Sequence, residues 1–236
     1  PMYVAVGKVS HPFTSDDVIY CNFQISFRYE LIDFNKGEHS RKKPSRGFNL
    51  AYTQKSFWHL SSHSSPFFDS NYKPSAFFIY QSVGNNTISW VDRLDVEQGY
   101  QHHSNGRDST SSRSTEYLYL KPTLVWRTFK NSSLFLSPRF QYYFKVENNN
   151  YDVSDYWGFV DLEVSWRADF GLQLETHSIP AKKTFTFDAT LTYPMEKLLK
   201  NLNFFLMINY RQGAGDTFLT YNFMGRRIIF GFALSR

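Results

Sequence analysis

The chain has 236 residues, among them 24 Phe, 16 Tyr and a single Cys, with a net charge of +5. Its mean hydropathy is −0.45 and its pI about 9.1. No run of about 18 apolar residues occurs, which excludes a transmembrane helix but not a membrane-spanning β-barrel. Cys21 has no second cysteine to pair with and no metal-ligating neighbours, so it reads as a small buried or lipid-facing residue. The clearest basic cluster is Arg41, Lys42, Lys43 and Arg46. It has no aromatic platform or nucleic-acid motif beside it, so nucleic acid is not expected as a partner, and a solvated turn near anionic headgroups fits it better.

An aromatic-rich chain that is polar on average suits a large β-sandwich or a membrane barrel. In a barrel, lipid-facing and interior side chains alternate and cancel in any window average. Alternating segments broken by polar, Gly, Asn or Pro clusters predict strands over 2–10, 18–33, 47–60, 74–83, 88–103, 115–129, 133–146, 155–168, 171–177, 184–194, 202–212 and 216–235. That is about twelve, the even number expected of a single-chain antiparallel barrel, in one domain spanning 1–236. No amphipathic helix of ordinary length is found.

Val83-Gly84-Asn85-Asn86-Thr87 and Lys130-Asn131-Ser132 read as tight turns, and 101–114 and 146–154 as longer polar loops. Short turns on one side and longer loops on the other is the outer-membrane pattern, to which the basic 34–46 loop is an exception.

Side chains on a strand alternate faces. Ahead of the first long loop, one face carries Leu94, Val96, Gln98, Tyr100, His102 and Ser104; the other carries Asp95, Glu97, Gly99, Gln101 and His103. The first face is less polar and reads as the lipid side, so His102 and Ser104 continue it outward while His103 points inward. In the next strand Glu116, Leu118, Leu120, Pro122, Leu124 and Trp126 form the greasy side. Large residues such as Tyr117, Tyr119 and Arg127 lie opposite, which predicts a filled interior. The last strand behaves alike: Ile228, Phe230, Phe232 and Leu234 alternate with small residues such as Gly231 and Ala233.

A hairpin joining the two middle strands would set Glu116 beside His102 and Ser104 on one outer face. A carboxylate there is costly without compensation. Serine, a histidine to take its proton and a third group to orient the imidazole are what nucleophilic catalysis needs. The structural alternative is an interfacial polar belt in which the histidine merely snorkels.

Several stretches in order resemble the outer membrane phospholipase A family, calcium-dependent barrel hydrolases of Gram-negative bacteria. They are AYTQKSFW at 51–58, SSPF at 64–67, NYKP at 71–74, DVEQGYQHHSNGR at 95–107, SRS at 112–114 leading into Glu116, and YDV and YWG within 151–158. The resemblance implies a twelve-stranded barrel in the bacterial outer membrane with a Ser-His-Asn triad on its outer face. It would make Ser104 the nucleophile and His102 the base, and it places Glu116 where the family usually has Asn. A Ser-His-Glu set with a similar His-x-Ser occurs in an outer-membrane lipid A deacylase family, so lipid A is an alternative substrate and a catalytically silent barrel a further reading.

The resemblance also implies Ca2+, held by the Arg107 carbonyl and Ser112 with Ser64 from the partner chain of a homodimer. A second acidic site would fall near Asp108 and Glu147–Asp152, with Asn149 at the best-aligned position. A backbone N–H near Gly106 would serve the oxyanion, and Gln54 would lie at the dimer interface. Outward Tyr100, Leu118 and Leu120 would line an acyl groove of the phospholipid substrate.

Overall fold

The computed structural model describes residues 1–10, 17–35, 45–82, 90–128, 131–197, 199 and 201–235. Arg41, Lys42, Lys43, the expected turn at 83–87 and Lys130 lie outside the described residues. Twelve strands close into one antiparallel barrel in which each strand pairs with its neighbours in sequence and β1 pairs with β12. The strands are β1 (Met2–Ser10), β2 (Asp17–Asp33), β3 (Arg46–His59), β4 (Phe67–Tyr80), β5 (Arg93–Ser104), β6 (Ser114–Thr128), β7 (Ser132–Val146), β8 (Val160–Ala168), β9 (Gln173–Pro180), β10 (Phe185–Pro194), β11 (Phe205–Ala214) and β12 (Met224–Ser235). Closure leaves no sheet edge, and every strand satisfies its backbone through its neighbours, which is what a bilayer demands.

The alternation read from sequence holds. Val4, Val6, Ile228, Phe230, Phe232 and Leu234 are exposed on the outside of the β1–β12 seam, whereas Ala5, Ile229 and Ala233 are buried inside it. Around the wall Phe27, Tyr29, Leu50, Leu118, Leu120, Phe140, Tyr142 and Ile208 continue an apolar exterior. This is the surface of a protein whose outer solvent is lipid. Cys21 is free and buried.

The interior is polar and cross-linked. Tyr117 donates to Gln101 (2.9 Å) and Tyr119 to Glu97 (2.7 Å), Arg139 lies 4.0 Å over the Tyr119 ring, and Lys121 pairs with Glu163 (2.7 Å). His177 bridges Asp161 (3.0 Å) and Glu175 (3.3 Å). Arg227 joins Asp188, Asp216 and Asn209.

The expected filled interior is corrected in part. Tyr117 and Tyr119 are buried, but a cavity of about 570 Å³ remains among Lys73, Arg139, Tyr143, His177 and Arg227. Arg127 does not contribute to filling it. It is exposed at the rim, where its backbone N–H donates to Asp92 (2.5 Å).

Strand ends differ from expectation where side chains outside the sheet take over. β4 begins at Phe67, well before the expected 74, because its inward Asp69 and Asn71 are tied down by the β11–β12 connection. β5 begins at Arg93, after a stacked Trp90–Trp126 pair at the rim. The expected strand from 155 instead starts with helix α1 (Val153–Trp157), whose Val153 is fully buried, and β8 follows from Val160. The expected strand 216–235 divides into a packed loop with Phe218 buried at its centre and then β12.

Loop lengths alternate less cleanly than expected, since the connections 34–45 and 195–204 fall at the end opposite the 105–113 loop. Arg46 of the basic cluster donates to the carbonyls of Gln81 (3.2 Å) and Ser82 (3.2 Å), so it fastens two turns together at that end.

Candidate active site

The β5–β6 hairpin runs in unbroken register, pairing His102 with Glu116 and Ser104 with Ser114. Gln101 and His103 are buried on the inside of β5 and Asn105 is buried just past its end, while His102 and Ser104 sit half-buried on the outside. His102 Nδ1 faces Glu116 Oε1 at 3.9 Å. The same carboxylate oxygen accepts a hydrogen bond from Lys145 Nζ (2.9 Å). No hydrogen bond joins Ser104 to His102 among the described residues. They share a face two residues apart, and catalytic hydrogen bonds often tighten only once substrate is in place.

Inside the wall, an anchor holds this end of β5. His103 bonds Asn71 Oδ1 (3.2 Å) and is packed between Trp157 (5.0 Å) and Phe218 (4.3 Å). Asn71 Oδ1 also accepts the Phe218 N–H (3.1 Å). Asp69 accepts from Asn71 Nδ2 (3.0 Å), the Leu219 N–H (2.9 Å) and Arg107 Nε (3.4 Å). Arg107 donates as well to the Phe68 carbonyl. The loop after the serine is therefore fastened to β4 through its arginine side chain, and the Arg107 carbonyl has no hydrogen-bond partner among the described residues.

The buried Asn105 side chain organises the rest of that loop, donating to the Ser111 carbonyl (2.9 Å) and accepting the Arg113 N–H (3.0 Å). Gly106 adopts φ +64°, and a Cβ there would lie 2.7 Å from Tyr72 Cε2. Both the left-handed backbone and the closeness of the ring require glycine. The Gly106 N–H has no partner among the described residues.

Ser112 Oγ donates to Glu147 Oε2 (2.9 Å). Asn149 Nδ2 donates to the carbonyls of Ser109 (3.0 Å) and Ser112 (3.4 Å), so its nitrogen faces those oxygens and Glu147 is the oxygen donor beside Ser112. Asp108 is exposed and only flanks this group. Among the described residues no three His, Cys, Asp or Glu side chains cluster as a metal site. A hydroxyl, a carboxylate and a backbone carbonyl are nevertheless the hard oxygen donors that a cation such as Ca2+ selects.

Ser64 is exposed on the 60–66 loop, at the same end of the barrel, with φ +60° and its hydroxyl 3.1 Å from His63 Nδ1. No hydrogen bond links it to Arg107 or Ser112 among the described residues. Gln54 pairs with Tyr72, and Tyr72 pairs with Ser104, so Gln54 lies two strands from the serine on one row. Its amide is already engaged by Tyr52 (3.1 Å) and Ser56 (3.2 Å).

Nothing in the sequence marks Lys145 or Asp69 for this site, while Glu147 opens the acidic stretch 147–152 and Asn71 opens NYKP, neither with the role it has here. Asp69 and Asn71 show as polar residues on alternate positions, a sign of an inward face but not of what they hold.

The fold defines a membrane-spanning β-barrel, and a hydroxyl, an imidazole and a carboxylate on its lipid-facing side are the residue types of a serine esterase. The family model of phospholipase A1 matches residues 8–234. The phospholipase A1 of Salmonella typhimurium is 26% identical over 252 residues, covering 95% of this chain and 81% of that protein. The outer membrane phospholipase A of Escherichia coli superposes with a TM-score of 0.82 at 24% identity, over 99% of this chain and 89% of that one. The outer membrane phospholipase of Salmonella typhi, solved as a dimer with bound calcium, gives 0.81 at 24% identity over 99% and 90%. The chain belongs to the phospholipase A1 family, the esterases that hydrolyse phospholipids, and its barrel is an outer-membrane one.

Proposed function

We propose that this protein hydrolyses the acyl esters of outer-membrane phospholipids with Ser104 as nucleophile, His102 as base and Glu116 as the group that orients the imidazole. The observation that carries the reading is the placement of His102 Nδ1 against Glu116 on the lipid-facing side, with Ser104 on the same face. With Nδ1 turned to the carboxylate, Nε2 is the nitrogen left to take the serine proton. Ser104 Oγ attacks the ester carbonyl as His102 accepts its proton. The oxyanion receives the Gly106 N–H. His102 then returns the proton to the leaving alcohol, and water, deprotonated by His102, releases the fatty acid from Ser104.

The Arg107 carbonyl, Ser112 and Glu147, with Asn149 at their edge, would hold Ca2+ beside this loop, joined by Ser64 of a second copy in a homodimer packed along the Gln54 row. Bound there, the cation supplies positive charge next to the developing oxyanion. The calcium-bound dimer of the Salmonella typhi relative supports this arrangement. Exposed Leu118 and Leu120 beside Tyr100 offer the acyl chain a groove.

The test is fatty-acid release from phospholipid–detergent micelles, with calcium, with a chelator, and with Ser104→Ala. Release that needs calcium and disappears in Ser104→Ala supports the reading. A folded, calcium-supplied barrel that releases nothing overturns it. Glu116 in place of Asn is the one feature favouring lipid A as substrate, so release from lipid A alone would reassign the substrate.

A further inference from the structure

Lys145 occupies an unexpected place. On β7 the odd residues Gln141 and Tyr143 face inward and the even residues Phe140, Tyr142 and Phe144 face outward. Strict alternation would send Lys145 into the lumen. Instead the β6–β7 register shifts between Glu116 and Tyr117, and Phe144 and Lys145 are both exposed. An extra residue of this kind re-aims a side chain, and such bulges gather next to active sites.

Here the result is a cation on the outer face, 71% exposed, bonded to the orienting carboxylate at 2.9 Å. His102 Nδ1 is 3.9 Å from that same oxygen. In the resting barrel the ammonium, not the imidazole, holds the carboxylate. An exposed ion pair is weak and easily exchanged for another anion. The anion that every phospholipid brings to this spot is its phosphate, carried on the same glycerol as the scissile esters.

We propose that Lys145 is the phosphate-recognising residue of this site: it pairs with Glu116 at rest and passes to the phosphate of an arriving phospholipid, which frees Glu116 to close on His102. The proposal rests on the assignment of Ser104, His102 and Glu116 made above. It makes the presence of phosphate a condition for completing the triad, so that neutral esters in the bilayer are hydrolysed poorly.

The experiment compares a phosphatidylcholine with a diacylglycerol of the same acyl chains, both in detergent micelles with calcium, for wild type, Lys145→Met and Lys145→Arg. In Lys145→Met, KM for the phospholipid rises about tenfold, the effect of one lost charge-assisted hydrogen bond. The kcat for the diacylglycerol rises severalfold, because Glu116 is no longer held away from His102. Lys145→Arg restores the phospholipid KM to within about twofold of wild type, since a guanidinium also binds phosphate. An unchanged phospholipid KM in Lys145→Met overturns the proposal, as does a diacylglycerol kcat that stays level or falls. Ser104→Ala is run alongside. Hydrolysis surviving in that variant overturns the triad assignment itself, which separates that failure from a failure of Lys145 alone.

Discussion

Asp69→Ala is the sharpest probe of how the barrel interior supports the outer site. The Asp69 side chain is 0% exposed and holds three donors from three parts of the chain: Asn71 of β4, the Leu219 N–H of the β11–β12 loop and Arg107 of the loop after the serine. Alanine leaves the Asn71 amide and the Leu219 N–H without their acceptor. Each orphaned buried donor costs about 1–3 kcal/mol. The Arg107 head is partly exposed, so water replaces most of what it loses. Removing a buried carboxyl group also returns part of its desolvation cost. The net expectation is a loss of about 2–4 kcal/mol.

That loss is read by urea unfolding in detergent micelles, followed by tryptophan fluorescence. Trp157 lies 4.7 Å from Phe218 and so reports on the loop that is released. Ester hydrolysis should fall on the order of a hundredfold, because a displacement of about 1 Å in the Gly106–Arg107 backbone misplaces the oxyanion donor. Asp69→Asn retains one acceptor oxygen and should lose less on both counts. A stability change below about 1 kcal/mol, or a catalytic rate equal to wild type, would refute the idea that this inner carboxyl group positions the outer loop.

Gly106→Ala should fold as a barrel yet lose activity on the order of tenfold or more, since φ +64° and the Tyr72 ring both oppose a side chain; normal unfolding with normal kinetics would count against the N–H role. Arg227→Met should destabilise by about 1–3 kcal/mol in detergent unfolding, because Arg227 is 4% exposed and its loss removes the hydrogen bonds to Asn209 and leaves Asp188 and Asp216 to Arg211 and Lys55 alone. In the loop beside α1, Asp152 accepts from Tyr221 (2.5 Å) and Lys183 (2.9 Å). Burial pushes its carboxyl up, but these two hydrogen bonds outweigh it and hold the group below the usual carboxylate range. A folded-state value lowered in this way contributes stability above the ordinary Asp range and loses it as pH falls through the depressed value. Asp152→Asn should therefore open the α1 loop to proteolysis more readily than wild type at neutral pH, with the difference vanishing in strong acid.

The fold was legible because a barrel repeats one rule, and the strand period of two sends His102, Ser104 and Glu116 outward wherever the register is unbroken. The rule failed at Lys145, where one extra residue in β7 reverses the facing; nothing in Phe144-Lys145-Val146 announces a bulge. It also said little of Asp69 and Asn71. Alternation marks them as interior, but their partners Phe218 and Leu219 lie about 150 residues away in a loop that reads as a continuing strand. Helix α1 was missed for a similar reason. It is five residues long and stands through the burial of Val153, not through any periodic pattern. Within the 147–152 stretch the resemblance singles out Asn149, whereas the carboxylate beside Ser112 belongs to Glu147.

With His102 as the proposed base, two adjacent histidines divide function from support across one strand. His102 faces out to Glu116, while His103 is 3% exposed and is held by Asn71, Trp157 and Phe218. Their alanine variants should fail in opposite ways. His102→Ala removes a half-buried base, so hydrolysis should fall roughly a thousandfold, within the range for general acid–base groups, while unfolding stays near wild type. His103→Ala empties a packed aromatic site and removes one of the two partners of Asn71 Oδ1, for a loss of roughly 2–4 kcal/mol. Its catalytic constellation stays in place on the outer face, so the fraction that remains folded should hydrolyse ester at a measurable rate. The two are separated by normalising turnover to the folded fraction on a heat-modifiability gel. If His103→Ala were as inactive per folded molecule as His102→Ala, the inner histidine would belong to the chemistry and the division of labour between the two faces of β5 would be wrong.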